Sequence, residues 1–154
     1  MPQENDHVKI LFHVNCDNPE DLVVETLWAI IIEKETGLYQ IDNIPFYIPL
    51  ISCGDIVFAE YDEAEERLVY RQTVKESGNS TIQIELLHDN DRELEIREIF
   101  REMGCESEGT AGGYFVLEVP FDMDYTAIKQ KLEALRNDQI IDYAESCLSN
   151  LHKY

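Results

Sequence analysis

Hydrophobic residues change their spacing halfway along this chain, and that change limits the folds open to it. Residues 8–15 place Val8, Ile10, Phe12 and Val14 on alternate positions, the two-residue period of a half-buried strand. After a turn signal at Asp17-Asn18-Pro19, residues 23–33 are dense in β-branched and aromatic types around Trp28, Ile30, Ile31 and Ile32. With residues 38–42 beyond Gly37 they predict a hairpin. A second pair is predicted over 55–61 and 67–74, and the turn at Ser77-Gly78-Asn79-Ser80 leads into a strand over 81–87.

From residue 89 the period lengthens. Asp89, Asn90 and Asp91 offer N-cap oxygens, Ile96, Ile99, Phe100 and Met103 repeat at helical spacing, and Gly104 supplies a stop. This predicts a helix over 91–103. A hairpin over 105–108 and 114–119 follows. Asp124 then caps a helix with Ile128, Leu132 and Leu135 on one face, and residues 140–151 read as a strand passing into a short helix. The expected fold is α+β: a β-rich N-terminal lobe packed on a ferredoxin-like βαββαβ sandwich. The chain reads as a single module over 1–154 with possible lobes at 8–76 and 80–150, and a seam near Ser77 to Ser80.

Charge limits the partners. The chain carries 32 acidic side chains against 12 basic ones, a formal net charge of −20, beside 44% hydrophobic residues. Its 154 residues suffice for a core, since a domain of this size buries about 68–70% of its extended-chain surface. So much like charge on a chain with a full set of core formers points to a surface set by a basic protein partner. Direct nucleic-acid binding and docking on an anionic membrane are disfavoured.

The N-terminus has no basic n-region, and the longest apolar run, residues 27–32, is too short for a bilayer, so a cytoplasmic location is expected. Cys16, Cys53, Cys105 and Cys147 are widely spaced and read as free thiols.

An ordered series of short blocks adds a resemblance. Trp28-Ala29, Gly37, Tyr39, Asp42-Asn43, Pro45-Phe46-Tyr47, Gly54-Asp55, Val57 and Ser77-Gly78 occur in the first half. Ser80-Thr81, Met103-Gly104-Cys105, Val119-Pro120, Asp124-Tyr125 and Asp142-Tyr143 continue it. Over residues 8–148 the chain resembles an uncharacterised bacterial family, domain of unknown function four-two-six-five. The resemblance implies a bacterial, cytosolic, single-module protein and brings no activity, cofactor or catalytic residue.

Two candidate sites follow from residue chemistry. The acidic turn of Asp62, Glu63, Glu65 and Glu66 offers carboxylates to a basic partner, with Phe46 and Tyr47 from the Pro45 to Pro49 segment, and Tyr61, as apolar anchors. Further acids cluster as Glu85, Asp89, Asp91, Glu93, Glu95, Glu98 and Glu102, then Glu106 and Glu108. The other candidate is a polar cleft of Asp42, Asn43, Asp55, Ser77 and Ser80. Each block also serves as turn or strand-end chemistry.

Enzyme signatures fail. No phosphate loop, nucleophile elbow, H-E-x-x-H or dinucleotide fingerprint is present. The Gly109 to Gly113 run lacks a Lys; the calcium-loop spacing from Asp89 fails at Leu94 and Phe100; His13 and Cys16 lack a second ligand pair. The expectation is a non-enzymatic binding protein without metal or cofactor, an immunity-type or regulatory inhibitor of a basic toxin or nuclease. The alternative is an enzyme or small-ligand sensor using the polar cleft.

Overall fold

The computed structural model describes residues 6–14 and 23–154. Cys16 and the Asp17-Asn18-Pro19 turn signal lie outside the described residues. The chain divides into two compact units, Met1–Ser77 and Gly78–Tyr154. The described residues carry two sheets and two α-helices in an α+β fold.

The first unit is a closed five-stranded barrel of β1 (His7–Val14), β2 (Val23–Glu33), β3 (Leu38–Ile41), β4 (Ile56–Asp62) and β5 (Arg67–Lys75). Consecutive strands pair antiparallel. In a five-strand meander the first and last strands run the same way, and closure is by a parallel pairing of Ile10 with Leu68 and Leu11 with Val69. Closure removes the sheet edges that would otherwise invite pairing with other chains. Ile10, Phe12, Leu27, Ala29, Tyr39, Ile41, Val57 and Ala59 fill the core, with Ile48 and Ile51 from the β3–β4 connection. Phe12 stacks on Tyr70 with ring centroids 4.7 Å apart.

The apolar run of β2 splits by alternation. Leu27, Ala29 and Ile31 join the core, while Trp28 and Ile32 face outward. Gly37 turns β2 into β3 at φ 74; a Cβ there would meet the Ala59 carbonyl oxygen at 2.8 Å, so glycine is required.

The connection after β3 carries the apolar side chains Phe46, Tyr47, Ile48 and Leu50. Ile48 is buried and Phe46 half-buried, but Tyr47 and Leu50 are exposed. Glu25 explains the geometry. Its carboxylate accepts the backbone N–H groups of Phe46 at 2.7 Å, Tyr47 at 3.0 Å and Ile48 at 3.1 Å, fixing a turn that directs Tyr47 outward.

The second unit runs β6 (Ser80–Leu86), α1 (Glu93–Glu102), β7 (Glu106–Gly109), β8 (Tyr114–Val119), α2 (Tyr125–Asn137) and β9 (Ile141–Cys147). The sheet order is β7-β8-β6-β9, antiparallel throughout. Ile82, Ile84, Leu86, Phe115, Leu117 and Ile141 meet Ile96 and Phe100 of α1 and Ile128 and Leu132 of α2 in one core. Both helices therefore cover the same sheet face. Asp124 caps α2 as expected, accepting the Thr126 N–H at 2.9 Å. Asp89 caps a 3-10 turn over Asn90–Arg92 that precedes α1.

Glu93, grouped with the surface acids by its position in the sequence, is buried. It accepts the N–H groups of Ala111 at 3.1 Å and Gly113 at 3.0 Å and pairs with Arg97 at 3.7 Å. Arg97 in turn donates to the Ser107 hydroxyl at 2.9 Å. The glycine-rich β7–β8 turn is thus a clamp built around a carboxylate.

Candidate functional site

Strand alternation and register sort the acidic residues of the second unit. Residues of β6–β9 that point away from the helices form three rows across the sheet. Tyr114, Glu85 and Asp142 are consecutive partners in the first row; Glu108, Val116, Gln83 and Ala144 make the second; Glu106, Glu118 and Thr81 make the third. Glu85 therefore stands directly opposite Asp142, and Glu106 opposite Glu118. Like charges in that relation destabilise a sheet by about 0.2–1 kcal/mol per pair.

Among the described residues the ion pairs fall elsewhere. Glu118 accepts from Asn79 Nδ2 at 3.1 Å, and Asp142 Oδ1 accepts the N–H of the adjacent Tyr143 at 2.9 Å. Gln83, Glu85, Tyr114, Asp142 and Ala144 line a shallow cavity of about 160 Å³ on this face. Its two exposed carboxylates and one phenol suit a guanidinium or ammonium group.

The candidates in the barrel are dispersed. Asp62 Oδ1 accepts the N–H groups of Ala64 and Glu65 at 2.9 and 3.1 Å, and Oδ2 pairs with Arg71 at 3.2 Å. The backbone bond from Glu65 and then the Arg71 guanidinium hold its carboxyl below the usual aspartate value. Glu63, Glu65 and Glu66 are exposed beside it. Phe46 and Tyr47 precede β4, whereas the acidic turn follows it. The two segments join β4 at its opposite ends. The aromatic pair and the acidic turn therefore form separate surfaces, with Tyr61, itself exposed, at the turn end.

The five polar-cleft candidates are likewise divided. Asp55 and Ser77 meet: Asp55, 2% exposed, accepts the Ser77 N–H at 2.9 Å and the Ser52 N–H at 3.0 Å. Burial raises its carboxyl above the ordinary value, partly offset by those bonds. Asp42 is exposed and bonded to His7 at 3.1 Å, and Asn43 Oδ1 accepts the Trp28 N–H at 2.6 Å. Ser80 belongs to the second unit. Its hydroxyl accepts the Ser149 N–H at 2.8 Å and lies 2.6 Å from Nδ1 of the buried His152. His152 Nε2 reaches the Pro120 carbonyl at 2.9 Å, which can only accept, so Nε2 donates there. These are structural locks, and within the first unit the contact among the candidates is that of Asp55 with Ser77.

Sequence reasoning missed a polar cluster on the helix side of β9. Lys129 Nζ lies 3.3 Å from Glu145, 3.7 Å from Glu133 and 2.8 Å from the Tyr154 hydroxyl. Tyr125 donates to Glu145 at 2.7 Å, and Tyr143 donates to Glu133. Burial alone would raise Glu145, but the bonds from Tyr125, Tyr154 and Lys129 overcome it and hold the carboxylate ionised. Lys129 and Glu133 stand four apart on α2, and Tyr143 and Glu145 two apart on β9. That joint spacing was the available signal. The charges are mutually satisfied, and the adjoining cavity of about 200 Å³ is smaller than sites for drug-sized ligands.

Cys53, Cys105 and Cys147 are free thiols. Among the described residues no group of three or more His, Cys, Asp or Glu side chains is arranged to hold a metal ion. No helix among them is long and apolar enough to cross a membrane.

Fold and site together define an acidic α+β protein with a carboxylate-bearing sheet face. Residues 25–143 match the family described as "Domain of unknown function (DUF4265)", and the chain belongs to that family. It is also similar to a crystal structure of a hypothetical protein from Neisseria gonorrhoeae, with a TM-score of 0.77 and 24% identity over 92% of this chain and 94% of that one. That likeness shows the fold. No curated protein matches the chain.

Proposed function

We propose that this chain is a small acidic cytoplasmic binding protein that captures a basic protein, as an immunity-type or regulatory inhibitor does, and that it is not an enzyme. The observation that carries the reading is the opposition of Glu85 to Asp142 and of Glu106 to Glu118 on one sheet face. Each pair costs folding stability, and a cationic partner inserted between them turns that repulsion into attraction. The cavity between Glu85, Tyr114 and Asp142 takes one arginine or lysine side chain of the partner. The exposed acids of the 62–66 turn add long-range steering. The strand order β7-β8-β6-β9 with antiparallel neighbours supports a ferredoxin-like sandwich as the platform.

The test is binding of a fluorescent arginine-rich decapeptide at 10 and 150 mM salt to the wild type and to a double variant, Asp142→Asn with Glu106→Gln. The reading expects at least tenfold weaker binding by the folded variant at 10 mM, chiefly through the association rate. Equal binding by both proteins overturns it.

A further inference from the structure

The outer face of β1 and β2 has a composition opposite to the rest of the molecule. Register sets His7 beside Ile30, Lys9 beside Trp28, and His13 beside Val24. Val24 is 51% exposed, Trp28 48% and Ile32 49%, so β2 presents an apolar stripe to solvent. The Lys9 ammonium lies 4.8 Å from the Trp28 ring centroid. Around Trp28, Lys9 and His13 the outward positions of the two strands carry no carboxylate; Glu33, opposite Leu38 beyond the bulge, and Asp42, engaged by His7, stand at one end. In a chain of net charge −20, an apolar stripe whose Lys9 and His13 end carries no carboxylate is a local departure from the acidic surface.

From this juxtaposition we infer that the β1–β2 outer face docks an extended acidic segment of a protein partner, its apolar side chains on Trp28 and Ile32 and its carboxylates toward Lys9 and His13. Area and charge select this occupant. Leu11, between Lys9 and His13 on β1, is 4% exposed, so the open stripe is that of β2, whose eleven residues at about 3.3 Å each and about 4.8 Å wide give roughly 170 Å². A stable dimer needs about 800 Å² per partner, so the stripe suits a linear segment better than a second copy. The flanking Val24, Ile30 and Ile32 offer aliphatic contact where a single nucleic-acid strand would need further stacking planes. This surface is distinct from the acidic sheet face, and its partner carries the opposite charge.

Trp28 is the single tryptophan, so its emission reports this face alone. The probe is a decapeptide of alternating Glu and Leu, titrated at 150 mM salt beside a Lys/Leu peptide and a ten-nucleotide oligo-dT. A saturable blue shift of Trp28 emission with the Glu/Leu peptide only, weakened at least tenfold by Lys9→Glu, supports the assignment. Unchanged melting of that variant certifies its fold, and Lys9→Gln serves if it does not fold. No shift, an equal shift with the Lys/Leu peptide, a stronger response to oligo-dT, or peptide-free dimerisation that shifts the same emission overturns it.

Discussion

Asp142→Asn isolates the repulsion on which the binding proposal rests. The substitution removes one charge while its Oδ1 keeps the bond from the Tyr143 N–H, now 2.9 Å long. Directly opposed side chains have Cβ atoms about 4.5–5.5 Å apart, which puts the Glu85 and Asp142 charges about 6 Å apart. In water such a pair repels by about 0.7 kcal/mol. Screening over a Debye length of about 8 Å leaves about 0.3 kcal/mol at 0.15 M salt, and about 30 Å leaves about 0.6 kcal/mol at 0.01 M. For a unit the size of Gly78–Tyr154 this raises the melting midpoint by about 1–2 °C at 0.15 M and about 2–5 °C at 0.01 M. The assay is thermal melting of wild type and variant followed by circular dichroism at both salts. Loss of stability, or a gain that fails to grow as salt falls, refutes the electrostatic reasoning.

Three further outcomes follow from the buried groups. Glu93→Gln turns an amide donor toward the N–H groups that Glu93 accepts and lowers stability by about 1–3 kcal/mol in urea denaturation. Asp55 has a folded value raised mainly by burial, so in the window just above its ordinary value the native state holds the proton more tightly than the unfolded chain. Its contribution to stability is therefore greatest at low pH and declines as pH rises through the folded value; Asp55→Asn, measured by pH-dependent denaturation, removes that decline. Burial first, and then the Glu118 and Glu106 carboxylates, push the Cys105 thiol up to about 12. A thiol-specific reagent at pH 8 leaves Cys105 unmodified in the native protein and labels it after unfolding.

Much of the fold was legible because local chemistry and tertiary environment agree. Alternation at Val8, Ile10 and Phe12, the Asp124 cap, and the Ile128 and Leu132 spacing each describe a residue's own element. The β2 run was less legible: a string of Leu27 to Ile32 names a strand, but its division into a core row and the outward Trp28 and Ile32 follows from barrel closure. The candidate sites were least legible. Asp55 and Ser77 meet through a backbone bond, Ser80 and Asn43 serve other locks, and Glu93 left the surface altogether.

The sequence by itself determined element type, the caps, net charge and the family, since these depend on residue identity and near-neighbour spacing. Tertiary structure alone decided which carboxylates face each other. Cross-strand register joins Glu85 to Asp142 over a separation of 57 positions, and strand order alone brings Glu106 against Glu118. A one-residue slip in either pairing would turn those carboxylates toward the core. The burial of Ile84 and Phe115 on the opposite face holds the register and, with it, the acidic surface.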